Sequence, residues 1–454
     1  MDLLWGLGGM LVLLAIAVLL STNRRAINLR TVGAALALQL GFGVIVLYWS
    51  TGQAALEQAT KGVQAVINSS NEGISFVFGP VLPEEGLVFA FQVLPVIIFF
   101  AALSAVLYHW GILQRVVEVL GGGIAYLLGT NKAESVNAAA NIFVGQTEAP
   151  LVIKPYIKRL TRSGLFAVMV GGLSTVAGSV LVGYSLLGAP LEYLIAASFM
   201  AAPGALLMAK IILPETRADV PVDATTGDDE AAQGSRDREK VAAGSASSAR
   251  SANDSDTETT ATGGTDDAGA VTDADDADDD EMQYRNVIDA AASGAADGLK
   301  LALNIGAMLL AFISLIALLN LFIGAVGGWF GADDLSFEQI LGYVFAPLMF
   351  AIGVGWDEAV QAGSFVGQKI VVNEFVAFAD FAPQIESFSP KTAAIITFAL
   401  TGFANLGSLG ILLGGLGGIA PGRRREIAEL GLRAIAAATL ANLMSAAIAG
   451  ILLA

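Results

Sequence analysis

The stretch Asn141-Ile142-Phe143-Val144-Gly145-Gln146-Thr147-Glu148-Ala149-Pro150 sets two amides, a hydroxyl and a carboxylate between long apolar segments. A carboxylate among apolar spans is costly, so its presence points to a function. Gly145 ahead of the acid and Pro150 behind it argue for a break in the helix, and freed backbone groups can then bind something. Non-helical backbone at membrane depth persists only where protein buries it or it lines a cavity. The plainer reading, a polar loop between two spans, fits less well because Ala149 to Ile153 turns apolar again at once. A similar pattern recurs later: Asn373-Glu374 lies in a moderately apolar stretch, and Gly402-Phe403-Ala404-Asn405-Leu406-Gly407-Ser408 interrupts a span.

Composition says what must carry these residues. Of 454 residues, 55% are hydrophobic and 14% charged, which describes an integral membrane protein with length for about eight to ten spans at roughly 20 residues each. There is no cysteine, which excludes disulfides, thiol catalysis and cysteine metal sites. The single histidine, His109, ends an apolar span between Tyr108 and Trp110 and reads as an interfacial residue. Glu148 and Glu374 could serve an intramembrane enzyme as an acid–base pair. No nucleophile or metal signature such as HExxH accompanies them, so an enzyme is not expected.

The net charge of −17 is unevenly spread. About 20 acids and 6 bases fall between Glu215 and Arg285, leaving the rest of the chain near −3. This stretch is rich in Ala, Ser, Thr, Gly and Asp, with too few large apolar residues to pack, and reads as a disordered cytoplasmic linker over 214–286. A solvating spacer explains the acids; a salt-rich cytoplasm, hence a halophilic host, would also suit them. Deleting residues 219–280 is expected to leave activity intact in suitable salt. A deleted protein that inserts normally but is inactive would show the segment to be regulatory or structural.

In chain order, Leu3–Leu20 and Thr31–Trp49 read as spans, with Arg24, Arg25 and Arg30 between them on the cytoplasmic side and the N-terminus outside. Gly52–Asn68 reads as an interfacial helix, Val88–Trp110 as a span and Gly111–Leu120 as a short amphipathic helix. Lys132–Leu160 carries basic residues at both ends, so it enters and leaves on one side as a re-entrant hairpin. Gly164–Tyr184 and Leu191–Leu213 are spans. After the linker come an interfacial helix at Asn286–Asp297, a span at Leu299–Phe322 and an amphipathic stretch at Ser336–Met349. A second re-entrant segment follows at Trp356–Phe381. Thr392–Leu416 is an interrupted span, and Ile427–Leu453 a last one that ends outside.

Hairpin, broken span and plain span therefore occur twice, within 123–213 and 341–454; residues 1–122 and 287–340 make a scaffold. Glu148 precedes the polar break Ser174-Thr175-Val176-Ala177-Gly178-Ser179 by 27 residues to Thr175, and Glu374 precedes Asn405 by 31. The first hairpin opens from the cytoplasm and the second from outside. The fold class expected is thus all-α, with about eight transmembrane helices and two oppositely oriented re-entrant hairpins in an inverted repeat. Such repeats place substrate and ion sites near the midplane, between discontinuous helices. Half-helix ends and freed carbonyls then act as ligands. For the glycines of Gly410–Gly418, close helix packing is the preferred reading; for Asn405 and Ser408, function is.

At these residues the chain resembles the concentrative nucleoside transporter family, in its bacterial and archaeal form with eight transmembrane helices. The matching strings are GQTEAP (Gly145–Pro150), STVAGSVLVGY (Ser174–Tyr184), NEFVAF (Asn373–Phe378) and GFANLGSLGILLGG (Gly402–Gly415), with FQVLPVIIFF (Phe91–Phe100) and LNIGAMLLAF (Leu303–Phe312) alongside. The resemblance implies a homotrimeric nucleoside–cation symporter in the bilayer of the cytoplasmic membrane, working by an elevator-like shift, with no cofactor and no nucleic-acid partner. It places Gln146, Thr147, Glu148 and the apolar wall Val180 at the nucleobase, and Glu374, Phe403, Asn405 and Ser408 at the ribose. It places a sodium ion at Asn141, the Val144 carbonyl, Thr175 and the Val176 carbonyl. These are neutral hard oxygens that suit a monovalent cation. A proton taken up by Glu148 or Glu374 is the alternative coupling, and another small polar solute the alternative cargo. Where the family often has two adjacent serines, Gly407-Ser408 stands here, one hydroxyl fewer. Gly145, with no side chain, is expected to leave room at the base.

Overall fold

A computed structural model of the chain describes residues 2–83, 88–216, 284–329, 331 and 335–453. The acidic stretch thus lies outside the described residues except at its ends. Every regular element described is a helix. Five helices lead to the first polar group: α1 (Asp2–Leu19), α2 (Leu29–Gly43), α3 (Ser50–Phe78), α4 (Leu94–His109) and α5 (Ile112–Leu128). The outlying helices α3 and α5 run further than their amphipathic patterns alone indicate.

The first hairpin starts at a capping box. The Asn131 side chain accepts from the Ala133 amide and Glu134 accepts from the Asn131 amide, which nucleates α6 (Lys132–Ala140). The chain then turns through Asn141–Glu148 and returns as two single turns, α7 (Ala149–Val152) and α8 (Lys154–Ile157). The broken span follows as α9 (Arg162–Ser174) and α10 (Gly178–Leu187), then the plain span α11 (Leu191–Ile212). Ser174 and Thr175 end α9 by donating their hydroxyls to the carbonyls of Val170 and Gly171, a side-chain competition that disfavours further helix. The hairpin starts the next half: the Phe143 carbonyl accepts from the Gly178 amide at 3.2 Å.

The order recurs after the linker. α12 (Val287–Gly328) and α13 (Phe337–Ala351) precede the second hairpin, α14 (Trp356–Val371) and α15 (Glu374–Phe381). Asn373 at its tip caps α15 by accepting from the Val376 amide at 2.8 Å. The second broken span is α16 (Pro390–Leu400) and α17 (Leu406–Ile419), and α18 (Arg424–Leu452) is the last helix. Thr401 repeats the device of Thr175, donating to the Thr397 carbonyl, and Asn405 caps α17 through the Ser408 amide.

Among the described residues, six runs are long and apolar enough to cross a membrane: Leu29–Tyr48, Phe89–His109, Arg162–Leu187, Leu191–Ile212, Val287–Gly328 and Pro421–Leu452. The bent pair α13 and α14, which meet at 118°, would make a seventh, and α1, α16 and α17 are shorter apolar helices. One element differs from expectation. Asn286–Asp297 is not a separate interfacial helix but the first turns of α12, a single helix of 42 residues. Its Gly294 and Gly298 abut α4, where an added Cβ would come within 2.7 Å of Ala101 and Ala105. This small-xxx-small contact docks the segment on a neighbour instead of on lipid.

Candidate functional site

The two repeats meet at their breaks. The Phe403 amide in the second break donates to the Thr175 carbonyl in the first, at 3.2 Å. Asn442, buried in α18, ties both: its Nδ2 donates to the Ser174 carbonyl at 2.7 Å and the Thr401 carbonyl at 2.8 Å. Gly402 must be glycine here, because a Cβ would collide with the Asn442 amide and the Ser174 carbonyl.

Around this junction stand the residues singled out in the sequence. In the second repeat, Asn405 Nδ2 donates to Glu374 Oε2 at 2.8 Å, while its Oδ1 accepts from the Ser408 amide at 2.7 Å. All three are buried, Glu374 at 5% exposure. Glu374, Asn405 and Ser408 therefore form one hydrogen-bonded group, with one carboxylate oxygen outside the Asn405 bond. Phe403 is half-buried beside them. In the first repeat, Asn141 is fully buried and Gln146 nearly so, and both approach Gly172 of α9. Asn141 Nδ2 donates to the Asn137 carbonyl. Asn141 Oδ1 and Gln146 Oε1 are buried without a hydrogen-bond partner among the described residues. The Val144 and Val176 carbonyls accept no backbone bond there either, and the Thr175 hydroxyl donates to Gly171 but can still accept.

The tip places Thr147 against Gly415 of α17, within 2.7 Å of where a Cβ would stand. Close packing thus explains Gly415, whereas Gly410, Gly414 and Gly418 meet open space. Glu148 folds back, its carboxylate accepting from the Gly145 amide. Its side chain is exposed at the hairpin tip. The room expected at Gly145 is taken by this carboxylate, whose Oε2 lies 2.9 Å from an added Cβ. No hydrogen bond among the described residues joins Gln146, Thr147 or Glu148 directly to the Glu374 group.

One contributor escaped the sequence reading. Tyr184 of α10 is fully buried, stacks on Phe378 with 4.4 Å between ring centroids and meets Phe375 edge-on. Its hydroxyl faces Glu374, close enough to act on it electrostatically, without a hydrogen bond of ordinary geometry. A tyrosine in an apolar run reads as core; only its place one turn beyond Val180, also buried, put it on the same helix as a named residue. A cavity of about 520 Å³ lies beside the second hairpin, between α12, α13, α14 and α15, lined in part by Asn320, Glu338, Gln368 and Asp380. It does not include Glu374 or Asn405.

Comparison with known proteins places this geometry. Family models described as Na+ dependent nucleoside transporter C-terminus, Na+ dependent nucleoside transporter N-terminus and nucleoside recognition match residues 193–450, 8–81 and 90–191. The chain is 51% identical to the uncharacterized transporter YutK of Bacillus subtilis over 99% of both chains. It is 42% identical to the nucleoside permease NupC of Helicobacter pylori, over 99% of this chain and 97% of that one. A solved structure of CNTnw in an inward-facing substrate-bound state superposes with a TM-score of 0.84 at 48% identity, covering 100% of this chain and 98% of that one. Variants of CNTnw have been solved in an outward-facing state. These matches run nearly end to end across the hairpins, the breaks and the helices that hold them, and they are to transporters and not to enzymes: the chain belongs to the concentrative nucleoside transporter family.

Proposed function

We propose that the chain is a sodium-coupled symporter that imports nucleosides across the cytoplasmic membrane. The observation that carries this reading is one polar junction inside an apolar helical protein, holding two kinds of polar group. One is the carboxylate–amide pair Glu374–Asn405. The other is the pair of buried, unpartnered oxygens on Asn141 and Gln146. A carboxylate accepts sugar hydroxyls strongly, so Glu374, with Asn405 and Ser408, takes the ribose, and Phe403 packs beside it. Gln146, Thr147 and Glu148 offer the donors and acceptors a base edge needs, directly or through water, and Val180 forms the apolar wall. Asn141 Oδ1, the Thr175 hydroxyl and the freed carbonyls of Val144 and Val176 suit a sodium ion, since all are neutral oxygens. The Na+ dependence in the family models' description supports that assignment.

The movement follows from the same bonds. Asn442 and the Phe403–Thr175 bond fasten the two breaks together, so hairpins and broken spans would travel as one piece against the scaffold, in the manner of an elevator. The inward- and outward-facing states known for CNTnw suit such alternating access. A homotrimer in the bilayer fits the exposed apolar row of α12, including Leu303, Leu310, Leu321 and Phe322. Proton coupling is the second reading, favoured by one observation: Glu148 is an exposed carboxylate at a hairpin tip.

Uridine binding measured by calorimetry in detergent tests the ion assignment. Replacing choline with sodium at fixed pH is expected to tighten binding, because the ion orders the tip that carries Gln146. Asn141→Ala is expected to remove most of that tightening and to leave the affinity in choline nearly unchanged. Equal affinities in sodium and choline for the wild type would contradict sodium coupling.

A further inference from the structure

A lysine is buried at the heart of the second repeat. Lys369 lies in the last turn of α14 and is 1% exposed. Its Nζ donates to the Ala399 carbonyl at 2.7 Å and to Asn442 Oδ1 at 2.8 Å. Both hydrogen-bond partners are neutral oxygens; a buried ammonium is costly to desolvate and is ordinarily matched by a carboxylate, and the carboxylate near enough to act on this one, Glu374, is bonded to Asn405 and not to Lys369.

The corresponding corner of the first repeat is built alike and left open. The two half-helices α9 and α16 end in the same way, at Thr175 and Thr401, each donating its hydroxyl to the carbonyl four residues back. Against the last turn of each half-helix lies the last turn of the hairpin's first helix. In the second repeat that turn supplies Lys369. In the first it supplies Asn137, with Asn141 at the helix end, both fully buried. Asn137 Oδ1 and Nδ2 and Asn141 Oδ1 have no partner among the described residues. In the second repeat, Asn442 is fully paired and its Oδ1 is taken by the ammonium. One corner thus presents vacant oxygens, and its counterpart presents oxygens already filled by a cation on a tether.

We infer that the Lys369 ammonium is a resident cation, occupying in the second repeat the place that the coupling ion takes in the first. This rests on the sodium reading of the Asn141 corner. A tethered cation does not leave, so the second hairpin stays fastened to its break throughout the cycle and Glu374 stays in place. Only the first hairpin is ordered by a dissociable ion, and each nucleoside travels with one sodium.

The test is dual-label uptake of sodium and uridine into proteoliposomes, for the wild type and Lys369→Ser. The wild type is expected to move one sodium per uridine, with first-order sodium activation. In Lys369→Ser the serine hydroxyl, the Ala399 carbonyl and Asn442 Oδ1 line the vacated place. Half-maximal activation is then expected to need at least tenfold more sodium, and activation is expected to become steeper than first order. A wild-type ratio of two, or an unchanged sodium dependence in Lys369→Ser, would overturn the inference while leaving sodium coupling standing. Sodium-independent wild-type uptake that collapses with a protonophore would overturn the coupling and this inference with it. Should Lys369→Ser fail to fold, the wild-type ratio decides alone.

Discussion

Glu374→Gln is expected to cut nucleoside uptake by about a hundredfold or more while the protein still inserts and elutes from detergent like the wild type. The glutamine can still accept from Asn405 Nδ2, so the bond that now holds Glu374 at 2.8 Å survives. What is lost is the charged acceptor proposed for ribose hydroxyls. Hydrogen bonds to charged groups are worth roughly 1.5–3 kcal/mol each, and two of them give about 3–6 kcal/mol, or two to four decades in affinity. Uptake within twofold of wild type would remove Glu374 from the site.

Asn442→Leu is expected to have the largest effect on stability. Its amide is the sole side chain that bridges both breaks among the described residues, and leucine strands the Ser174 carbonyl, the Thr401 carbonyl and the Lys369 ammonium at once. Each buried group left unsatisfied costs roughly 1–3 kcal/mol, more for a charge. The sum is several kcal/mol, expected to lower the apparent unfolding midpoint in detergent by roughly 5–10 °C. A midpoint within about 2 °C of wild type would mean that the breaks are held together by something else.

Which parts were legible in the sequence follows from how each is encoded. The breaks were legible because Ser174, Thr175, Asn405 and Ser408 are polar residues in otherwise apolar runs, and they end or start half-helices where they stand. The tip of the second hairpin was legible for the same reason, since Asn373 caps α15. The fastening between repeats was not. Lys369 and Asn442 are single polar residues in long helices, and their importance lies in reaching elements that are 30 to 268 residues away along the chain. Tyr184 was hidden among Val, Leu and Gly, where an aromatic ring reads as packing. The continuity of α12 was missed because Asp297 and Lys300 look like the end of a surface helix, while the docking of Gly294 and Gly298 on α4 depends on which helix happens to lie alongside. Gly145 was misjudged because a local fold-back, Glu148 onto the Gly145 amide, fills the space a missing side chain opens.

Whether an ion gradient drives nucleosides through this junction is decided by accumulation. Purified protein in proteoliposomes is given radiolabelled uridine at fixed pH, with an inward sodium gradient or with choline in its place. Uridine is expected to be concentrated inside above the external level in sodium, insensitive to a protonophore, and in choline only to equilibrate or less. Undiminished accumulation in choline that collapses on adding the protonophore would contradict sodium coupling.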